Sequence, residues 1–266
     1  MRRIIDMHCH IYPEKIAQKA TKVIGEFYDI PMDCPEGSVT VLLESLQSAQ
    51  IEQALVCSAA TTPAQVCSIN NFIAGAVKEH PETFIGFGTM HADFENIGDE
   101  IDRMIEMGIK GIKLHPDFQK FAIDDTRAMN IYEAAEGRLP ILFHMGDTRY
   151  DFSGPQKLAH VLKAFPKLKV IGAHFAGYSE WDNAVRYLAD FDIMVDTSST
   201  LGLTSSEKAR ELARIWGIDR MMFATDFPMW KHTEELERIK VLGIESEEDK
   251  DKYFYRNAAR FLGLTD

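Results

Sequence analysis

Short apolar segments alternate with longer amphipathic stretches along almost the whole chain. The short segments are typical of buried strands, and the stretches between them carry helical periodicity. Apolar positions between Ile69 and Val77, for instance, recur at the spacing of one helix face. The pattern predicts strands at Arg3–His10, Gln53–Ala59, Phe84–Met90, Gly111–Leu114, Ile141–His144, Val170–Ala173, Ile193–Asp196 and Met221–Thr225.

The amphipathic stretches complete a regular alternation of strand and helix. Strict alternation is typical of a parallel sheet. Eight such units in 266 residues favour an α/β fold of the closed (β/α)8 TIM-barrel type over an open doubly wound sheet. No glycine-rich fingerprint follows the first strand, which argues against a dinucleotide-binding fold. Helices are predicted at Val39–Ala49, Ala64–His80, Gly98–Met107, Thr126–Glu136, Gly154–Phe165, Trp181–Ala189, Ser205–Trp216 and Glu247–Leu262.

One connection is long for a barrel loop. We interpret residues 1–266 as a single barrel domain in which the segment 11–40 follows the first strand. Loops of this length are uncommon and are often functional. In a barrel this segment would rise over the carboxyl ends of the strands, where active sites lie. Two interpretations stay open: a lid that sets specificity, or a surface excursion with a helix of its own.

The composition narrows the classes of partner. Hydrophobic residues make up 45% of the chain, enough for a large core, and the formal net charge is −12. Such a surface repels phosphate backbones and disfavours a basic membrane-surface helix, so we expect neither nucleic acid nor a membrane as partner. No apolar run reaches the length of a membrane span, and no signal-peptide core follows the basic start. We therefore expect a soluble, cytoplasmic protein that acts on a small molecule.

The cysteines and the last aromatic run add little about assembly. None of the four cysteines forms a C-x-x-C pair, which argues against a zinc ribbon or a thioredoxin-type motif. Cys9 and Cys57 lie in apolar strands and are expected to be buried. The aromatic run at positions 253–255 fits either the interface of a homo-oligomer or the core.

Two histidines in the first strand give the most informative chemical signal. His8 and His10 are one residue apart, and residues i and i+2 of a strand lie on the same face. Both imidazoles can therefore reach one metal ion. An isolated pair of this kind is more often two buried, hydrogen-bonded histidines, so its interpretation depends on the rest of the chain.

Four further polar residues each stand at the carboxyl end of a predicted strand: His115, His144, His174 and Asp226. The carboxyl ends of barrel strands share one face, and polar residues there are typically catalytic. Imidazole and carboxylate suit Zn²⁺ and similar ions, which lower the pKa of a bound water to about 7. A carboxylate beside that water, such as Asp226, can take its proton and return it to the leaving group.

These segments together resemble the amidohydrolase superfamily, and specifically its amidohydrolase-2 branch, which includes relatives of aminocarboxymuconate-semialdehyde decarboxylase. Each motif by itself is weak, but all five occur in order on alternating strands and span positions 6 to 228. The motifs are Asp6-Met7-His8-Cys9-His10, Gly111-Ile112-Lys113-Leu114-His115-Pro116, Phe143-His144-Met145-Gly146, Ala173-His174-Phe175-Ala176-Gly177 and Thr225-Asp226-Phe227-Pro228.

The resemblance implies a (β/α)8 fold and one divalent metal, usually zinc. Its ligands would be His8, His10, His144 and Asp226. His174 would orient the water or stabilise developing negative charge rather than bind the metal. Some members of the superfamily bridge two metals with a carboxylated lysine near the position of Lys113. Because His115-Pro116 resembles the amidohydrolase-2 pattern, we favour one metal. Lys113 is then expected to be a buried cation deeper in the barrel, paired with Asp6, and is also a candidate for binding the substrate.

Three more residues are candidates for binding the substrate. His115 fits either a substrate contact or a structural hydrogen bond. Arg149, five residues beyond His144, fits either a fork that binds a carboxylate or a solvated loop cation. Gln119 lies in the loop after the fourth strand and is expected to line the pocket.

Three functional hypotheses follow, in order of preference. The first is a metal-dependent hydrolase that uses an activated water to attack a carbonyl of a small ester, lactone or amide. The second is a metal-dependent, non-oxidative decarboxylase of an aromatic or unsaturated carboxylic acid, because the resembling branch contains both chemistries. Sequence does not separate the two, since they share fold and ligand set. The third, a non-catalytic binding barrel, leaves converging metal ligands without a purpose.

Overall fold

The computed structural model describes residues 2–264 and confirms the predicted fold class. The protein is a (β/α)8 barrel whose strands follow one another in sheet order from β1 to β8. Almost every strand residue is buried, as expected for parallel strands covered on both faces. The strands are β1 Ile5–His10, β2 Gln53–Cys57, β3 Phe84–Thr89, β4 Gly111–Leu114, β5 Ile141–Phe143, β6 Val170–Gly172, β7 Met194–Asp196 and β8 Met221–Met222.

Helices alternate with these strands, and some are very short. The last predicted helix is continuous but contains one π-helical turn at Lys252–Arg256. The α-helices are α1 Glu14–Tyr28, α2 Val39–Ala49, α3 Val66–Glu79, α4 Ile97–Glu106, α5 Pro116–Gln119, α6 Met129–Ala135, α7 Pro155–Ala164, α8 Trp181–Leu188, α9 Thr200–Leu203, α10 Ser206–Trp216, α11 His232–Arg238, α12 Glu247–Asp251 and α13 Asn257–Leu262.

All eight strands lie where the sequence pattern predicts them, and only their first or last residues differ. The largest difference is β8, predicted to run to Thr225 but ending at Met222. Beyond this point the backbone bonds with other groups: Phe223 N–H donates to the carbonyl of Tyr253, and Thr225 N–H donates to the Asp6 carboxylate. Some backbone bonds to β1 persist, since Met7 N–H donates to the carbonyl of Phe223, but a side chain and a helix take these two N–H groups and interrupt the regular ladder.

The long segment 11–40 contains the fifteen-residue helix α1. The interpretation of this segment as a surface excursion expects such a helix. The helix ends at Asp29, which adopts a left-handed conformation. A role of this segment as a lid stays a prediction, as does the assignment of residues 1–266 to a single domain.

The described residues group into two compact units. The first contains residues 2–57, 79–85 and 197–264, and the second contains 58–78 and 86–196. In the first unit, β1 pairs in parallel with β2, and Cys9 bridges to Phe227 beyond β8. The aromatic run at 253–255 is buried, which supports the core interpretation over an interface.

The second unit is built on a succession of parallel pairs from β3 to β7. Its strands pack closely, and a Cβ atom at Gly111 would collide with the ring of Phe87. Glu100 of α4 accepts hydrogen bonds from Asn70 of α3 and from Arg103, so a buried carboxylate joins two helices. Within residues 2–264, no helix is both long enough and apolar enough to cross a lipid bilayer.

Candidate functional site

Three of the predicted metal ligands converge in the first unit. Nε2 of His8 lies 3.1 Å from Nε2 of His10, and Oδ1 of Asp226 lies 3.5 Å and 3.4 Å from these two nitrogens. His8 is fully buried and Asp226 nearly so. The strand pairing explains the arrangement, because Asp226 N–H donates to the carbonyl of His8 and brings the end of β1 beside the turn after β8.

The remaining polar atoms of these side chains are held by neighbours. Nδ1 of His8 is 3.1 Å from the Ser198 hydroxyl, which leaves Nε2 of this ring facing His10. The Ser199 hydroxyl donates to Oδ2 of Asp226 over 2.7 Å, and Trp230 Nε1–H donates to Ser199 over 3.0 Å. Hydrogen bonds of this kind fix the ring and carboxylate orientation of metal ligands.

The convergent atoms fit a divalent cation. A point equidistant from the three atoms is about 1.9 Å from each, close to the ~2.0–2.1 Å of a zinc–nitrogen bond. Burial lowers the pKa of His10, but Cys57 and Asp226 outweigh it through charge and hydrogen bonds and raise the pKa to about 9. The surroundings therefore favour a positive charge at this position.

Asp6 ties together the two segments that carry these ligands. Its buried carboxylate accepts hydrogen bonds from the N–H of His8, from the N–H and hydroxyl of Thr225, and contacts Nε2 of His232 at 3.1 Å. His232 also bonds through Nδ1 to the Ser45 hydroxyl over 2.7 Å. Asp6 thereby sets the register between β1 and the turn after β8.

Three of the predicted histidines meet in the second unit. The rings of His115 and His144 stack with centroids 3.9 Å apart and 7° between their planes. The other face of His115 stacks on Phe118 at 3.8 Å. Nδ1 of His144 lies 3.0 Å from Nε2 of His174, within hydrogen-bond distance. The ends of β4, β5 and β6 thus bring their histidines into one cluster.

The backbone at His174 is left-handed for three consecutive residues. His174, Phe175 and Ala176 have φ of 61°, 53° and 57°. This conformation costs roughly 1–2 kcal/mol per non-glycine residue. Asp196 holds the turn, because its carboxylate accepts the N–H of His174 over 3.0 Å and its carbonyl accepts that of Phe175 over 2.8 Å. Residues held in such conformations cluster at functional sites.

Acidic groups surround this cluster. The carboxylate of Asp117 lies 3.7 Å from Nε2 of His144. Burial raises the pKa of Asp117 to about 7, and the charge of Asp147 adds to the rise while the Ser153 hydroxyl opposes it. Asp147 is also buried and accepts a two-point hydrogen bond from Arg149, over 3.0 Å and 2.7 Å.

The motifs and this geometry agree with a match to known proteins. A family model described as amidohydrolase matches residues 5–264, which is nearly the whole chain. The chain belongs to the amidohydrolase family. This confirms the resemblance drawn from the five motifs and makes the protein an enzyme of the amidohydrolase superfamily.

Solved structures resemble this amidohydrolase over its full length. A 5-carboxyvanillate decarboxylase from Sphingomonas paucimobilis is 17% identical with a TM-score of 0.77, and each chain is covered completely. A manganese-bound dihydroxybenzoic acid decarboxylase from Polaromonas is 16% identical, with 99% and 98% covered and a TM-score of 0.74. A probable 2-pyrone-4,6-dicarboxylic acid hydrolase from Acinetobacter baumannii is 13% identical, with 98% and 100% covered and a TM-score of 0.71. At these identities the likeness shows the fold.

The remaining predicted residues of the amidohydrolase have structural surroundings of their own. The amide of Gln119 accepts the N–H of His115 and donates to the carbonyls of Ala60 and Met90, so it fastens loops of the second unit. Lys113 is fully buried in β4. Arg149 is half-exposed and its fork is on Asp147. Substrate binding by these residues and by His115 stays a prediction.

Sequence reasoning did not identify the residues that hold the candidate ligands in this amidohydrolase. Ser198, Ser199 and Asp196 lie at or just after the end of β7, a position at which polar residues are typically functional. Their position at the end of a strand could have indicated a functional role. For Asp117 the indication is weaker, because the sequence shows only an acid two residues after His115.

Proposed function

We propose that this amidohydrolase is a metal-dependent hydrolase that holds one divalent cation, and that this cation is zinc. His8, His10, His144 and Asp226 would hold the cation. The observation that carries the proposal is the convergence of His8 Nε2, His10 Nε2 and Asp226 Oδ1 at mutual distances of 3.1 to 3.5 Å. Neutral imidazoles and a carboxylate at this spacing are the donor set of catalytic zinc sites.

The protein side chains supply the proton chemistry. A divalent cation at this position supplies Lewis-acid polarisation and a reactive water at neutral pH. Asp226 accepts the proton of the attacking water at Oδ1 and returns it to the leaving group. Ser199 donates to Oδ2, so the carboxylate keeps one oxygen turned towards the two histidines while the other is occupied.

His174 has the second chemical role in this proposal. Its Nε2 lies 3.0 Å from Nδ1 of His144. An N–H at this position is suited to donate to the oxygen that becomes negative when the carbonyl is attacked. Its left-handed backbone, fastened by Asp196, fixes the direction of the ring and supports this role.

The charges in the second unit favour a neutral substrate. Asp117 and Asp147 are buried carboxylates, and the guanidinium of Arg149 is already forked onto Asp147. A substrate carboxylate at Arg149 would have to compete with that ion pair. We therefore propose a small ester, lactone or amide, and assign substrate contact to His115, whose ring stacks between His144 and Phe118.

Isotope labelling tests the hydrolase proposal. Zinc-loaded protein is screened with ester, lactone and amide substrates in ¹⁸O-labelled water, and we expect one labelled oxygen in the product carboxylate. The His8→Ala variant should lose both bound metal and turnover, whereas His160→Ala, a change at an exposed histidine, should keep both. Turnover that persists in wild-type protein freed of metal would contradict the proposal.

A decarboxylase is the second candidate. It is supported by similarity over the full chain to structures described as decarboxylases of 5-carboxyvanillate and dihydroxybenzoic acid. In that case Arg149 would leave Asp147 to bind the substrate carboxylate. Release of ¹³CO₂ from a ¹³C-carboxyl aromatic acid, with no ¹⁸O from water in the aromatic product, would favour this candidate over hydrolysis.

The number of metal ions is tested separately. We propose one ion per chain, with Lys113 as an uncarboxylated lysine. Elemental analysis of protein purified without chelators should give one equivalent of zinc. Two equivalents of zinc in wild type would instead support a second ion at Lys113 if the content falls to one equivalent in Lys113→Ala. The control Lys110→Ala, at an exposed neighbouring position, should then keep both.

A further inference from the structure

Trp230 lies beside the candidate metal ligands of the first unit without touching them through its N–H. The indole N–H donates to the Ser199 hydroxyl over 3.0 Å, and this hydroxyl donates to Oδ2 of Asp226 over 2.7 Å. Trp230 is therefore one hydrogen bond further from the carboxylate than Ser199. The proposed reaction gives this tryptophan no role.

The backbone of Ser199 is in a conformation that needs support from its surroundings. Its φ is 58° and its ψ is −31°, which lies outside even the small left-handed region that residues with a Cβ atom use. Such conformations cost about 1–3 kcal/mol and persist only where neighbouring groups hold them. Ser199 is fully buried, and its hydroxyl contacts Asp226, Trp230 and the sulfur of Met229. These side-chain contacts help to hold the strained turn.

Trp230 is a donor-only partner of the Ser199 hydroxyl. The single proton of this hydroxyl has two acceptors within reach, Oδ2 of Asp226 at 2.7 Å and the sulfur of Met229 at 3.3 Å. An indole N–H can only donate, so the serine oxygen has to accept at that point. The bond fixes the position of the oxygen and polarises its O–H group, which strengthens the hydrogen bond to the carboxylate.

The indole ring is itself held by its neighbours. The guanidinium of Arg238 lies over the ring, 4.4 Å from its centroid, and is paired with the buried Glu235 over 3.0 Å. The six-membered part of the ring packs on Gly202 of α9, where a Cβ atom would crowd it. Trp230 is almost fully buried. A ring with so little freedom is suited to hold a partner in one orientation.

We propose that Trp230 is a positioning residue that acts through Ser199 on the carboxylate of Asp226. Its N–H anchors the Ser199 oxygen, and the Ser199 proton occupies Oδ2 while Oδ1 faces the two histidines. A carboxylate that is already oriented loses less freedom when a cation binds. The inference rests on the proposed function, in which Asp226 is a metal ligand, and it assigns to Trp230 an effect on metal affinity.

Replacement of Trp230 by benzothienylalanine tests the N–H separately from the shape of the ring. This analogue keeps a bicyclic ring of nearly the same size and has sulfur in place of the N–H. Zinc affinity is measured by competition with a chromophoric chelator. We expect binding about 3 to 10 times weaker, since Trp230 is one bond further out than partners whose removal costs about 10–100-fold.

The same replacement at Trp216 is the matched control. This indole is also buried and has the guanidinium of Arg220 over its ring, 5.1 Å from the centroid. Among residues 2–264, however, its N–H has no hydrogen-bond acceptor. The analogue at this position should therefore leave zinc affinity unchanged, which shows that the effect at Trp230 does not come from the analogue as such.

A double-mutant cycle with Ser199→Ala separates action through Ser199 from general structural damage. If Trp230 acts through this hydroxyl, the Trp230 analogue weakens zinc binding in the wild-type background but adds no further loss in Ser199→Ala. Losses that multiply in the double variant would mean that Trp230 acts by another route, and they would overturn the inference.

A measurement on metal-free protein makes the test independent of the hydrolase proposal. Aspartate carboxyl carbons are labelled with ¹³C, and Asp226→Asn assigns the Asp226 signal. At one fixed pH we expect this signal to move in the Trp230 analogue and in Ser199→Ala, and to stay in place in the Trp216 analogue.

The inference is overturned if the folded Trp230 analogue keeps wild-type zinc affinity, or if it leaves the Asp226 signal unmoved. It can also fail separately from the proposed function. Wild-type protein that binds no zinc, with the Asp226 signal displaced as expected in the Trp230 analogue, would refute the metal-dependent hydrolase and support the positioning role of Trp230.

Discussion

At the scale of single residues, the candidate ligands are held by hydroxyls, carboxylates and backbone groups. Ser198, Ser199 and Asp6 use conventional hydrogen bonds in the first unit, and Asp196 does so in the second. Histidines at strand ends can be recognised from residue type and spacing. Serines and aspartates are common in loops, and only tertiary contacts distinguish those that fasten a ligand.

Ser199→Ala tests the value of one such contact. The change removes the donor to Oδ2 of Asp226, so the carboxylate gains rotational freedom, and we expect zinc affinity to fall about tenfold or more. Competition with a chromophoric chelator gives the affinity. Ser205→Ala is the matched control, because Ser205 caps α10 and its loss should cost about 1 kcal/mol of stability with no change in zinc binding. Equal affinity of Ser199→Ala and wild type would refute the role of this hydroxyl.

At the scale of elements, the eight strands follow from short apolar runs, and the longer helices follow from periodicity. The helices α5 and α9, with four residues each, and α11, with seven, were not predicted. Elements this short have too few positions for a period to appear. The start of α5 has an unusual local cap, since the His115 side chain accepts the N–H of Phe118 and histidine is not among the preferred N-cap residues.

Helix α11 contains a carboxyl whose titration should be measurable. Burial raises the pKa of Glu235 from its usual 4.5 to about 7, although Arg238 opposes the rise. Between these two values the folded state binds more protons than the unfolded state, so stability falls as the pH rises and levels off above about 7.

Glu235→Gln removes the titrating carboxyl and should therefore weaken the dependence of folding stability on pH. Relative to wild type, we expect the variant to gain up to about 3 kcal/mol in unfolding free energy between about pH 5 and pH 8, by urea denaturation. The control is Glu237→Gln, at an exposed position of the same helix, which should follow the wild-type curve within about 0.5 kcal/mol. Curves for Glu235→Gln and wild type that stay parallel would contradict the predicted ionisation.

At the scale of the whole molecule, family membership confirms what the five motifs implied about fold and enzyme class. The chemistry is harder to predict, because the fold is shared by structures described as decarboxylases and as a hydrolase. Pocket chemistry decides between them. The ion pair of Arg149 with Asp147 is the kind of feature that no spacing rule contains, since two loop residues can meet or remain solvated.

Metal removal should change the stability of the folded chain. A cation that binds only the folded state adds about 2.7 kcal/mol at a concentration of about 100 times Kd. We therefore expect dialysis against a chelator to lower Tm and readdition of zinc to restore it. His8→Ala should show neither change. A wild-type Tm that is the same before and after chelation, with metal loss confirmed by elemental analysis, would argue against a cation coupled to folding.

The left-handed turn at His174–Ala176 has a consequence for protein engineering. Glycine adopts positive φ without the steric cost borne by Ala176, whereas at the fully buried Phe175 the loss of packing, about 3–5 kcal/mol, would exceed the relief. A library selected for heat resistance alone would therefore be drawn towards glycine at Ala176. Such variants would gain thermal stability, but the backbone that orients the His174 ring would become more mobile. Selection for activity must therefore accompany selection for stability in this segment.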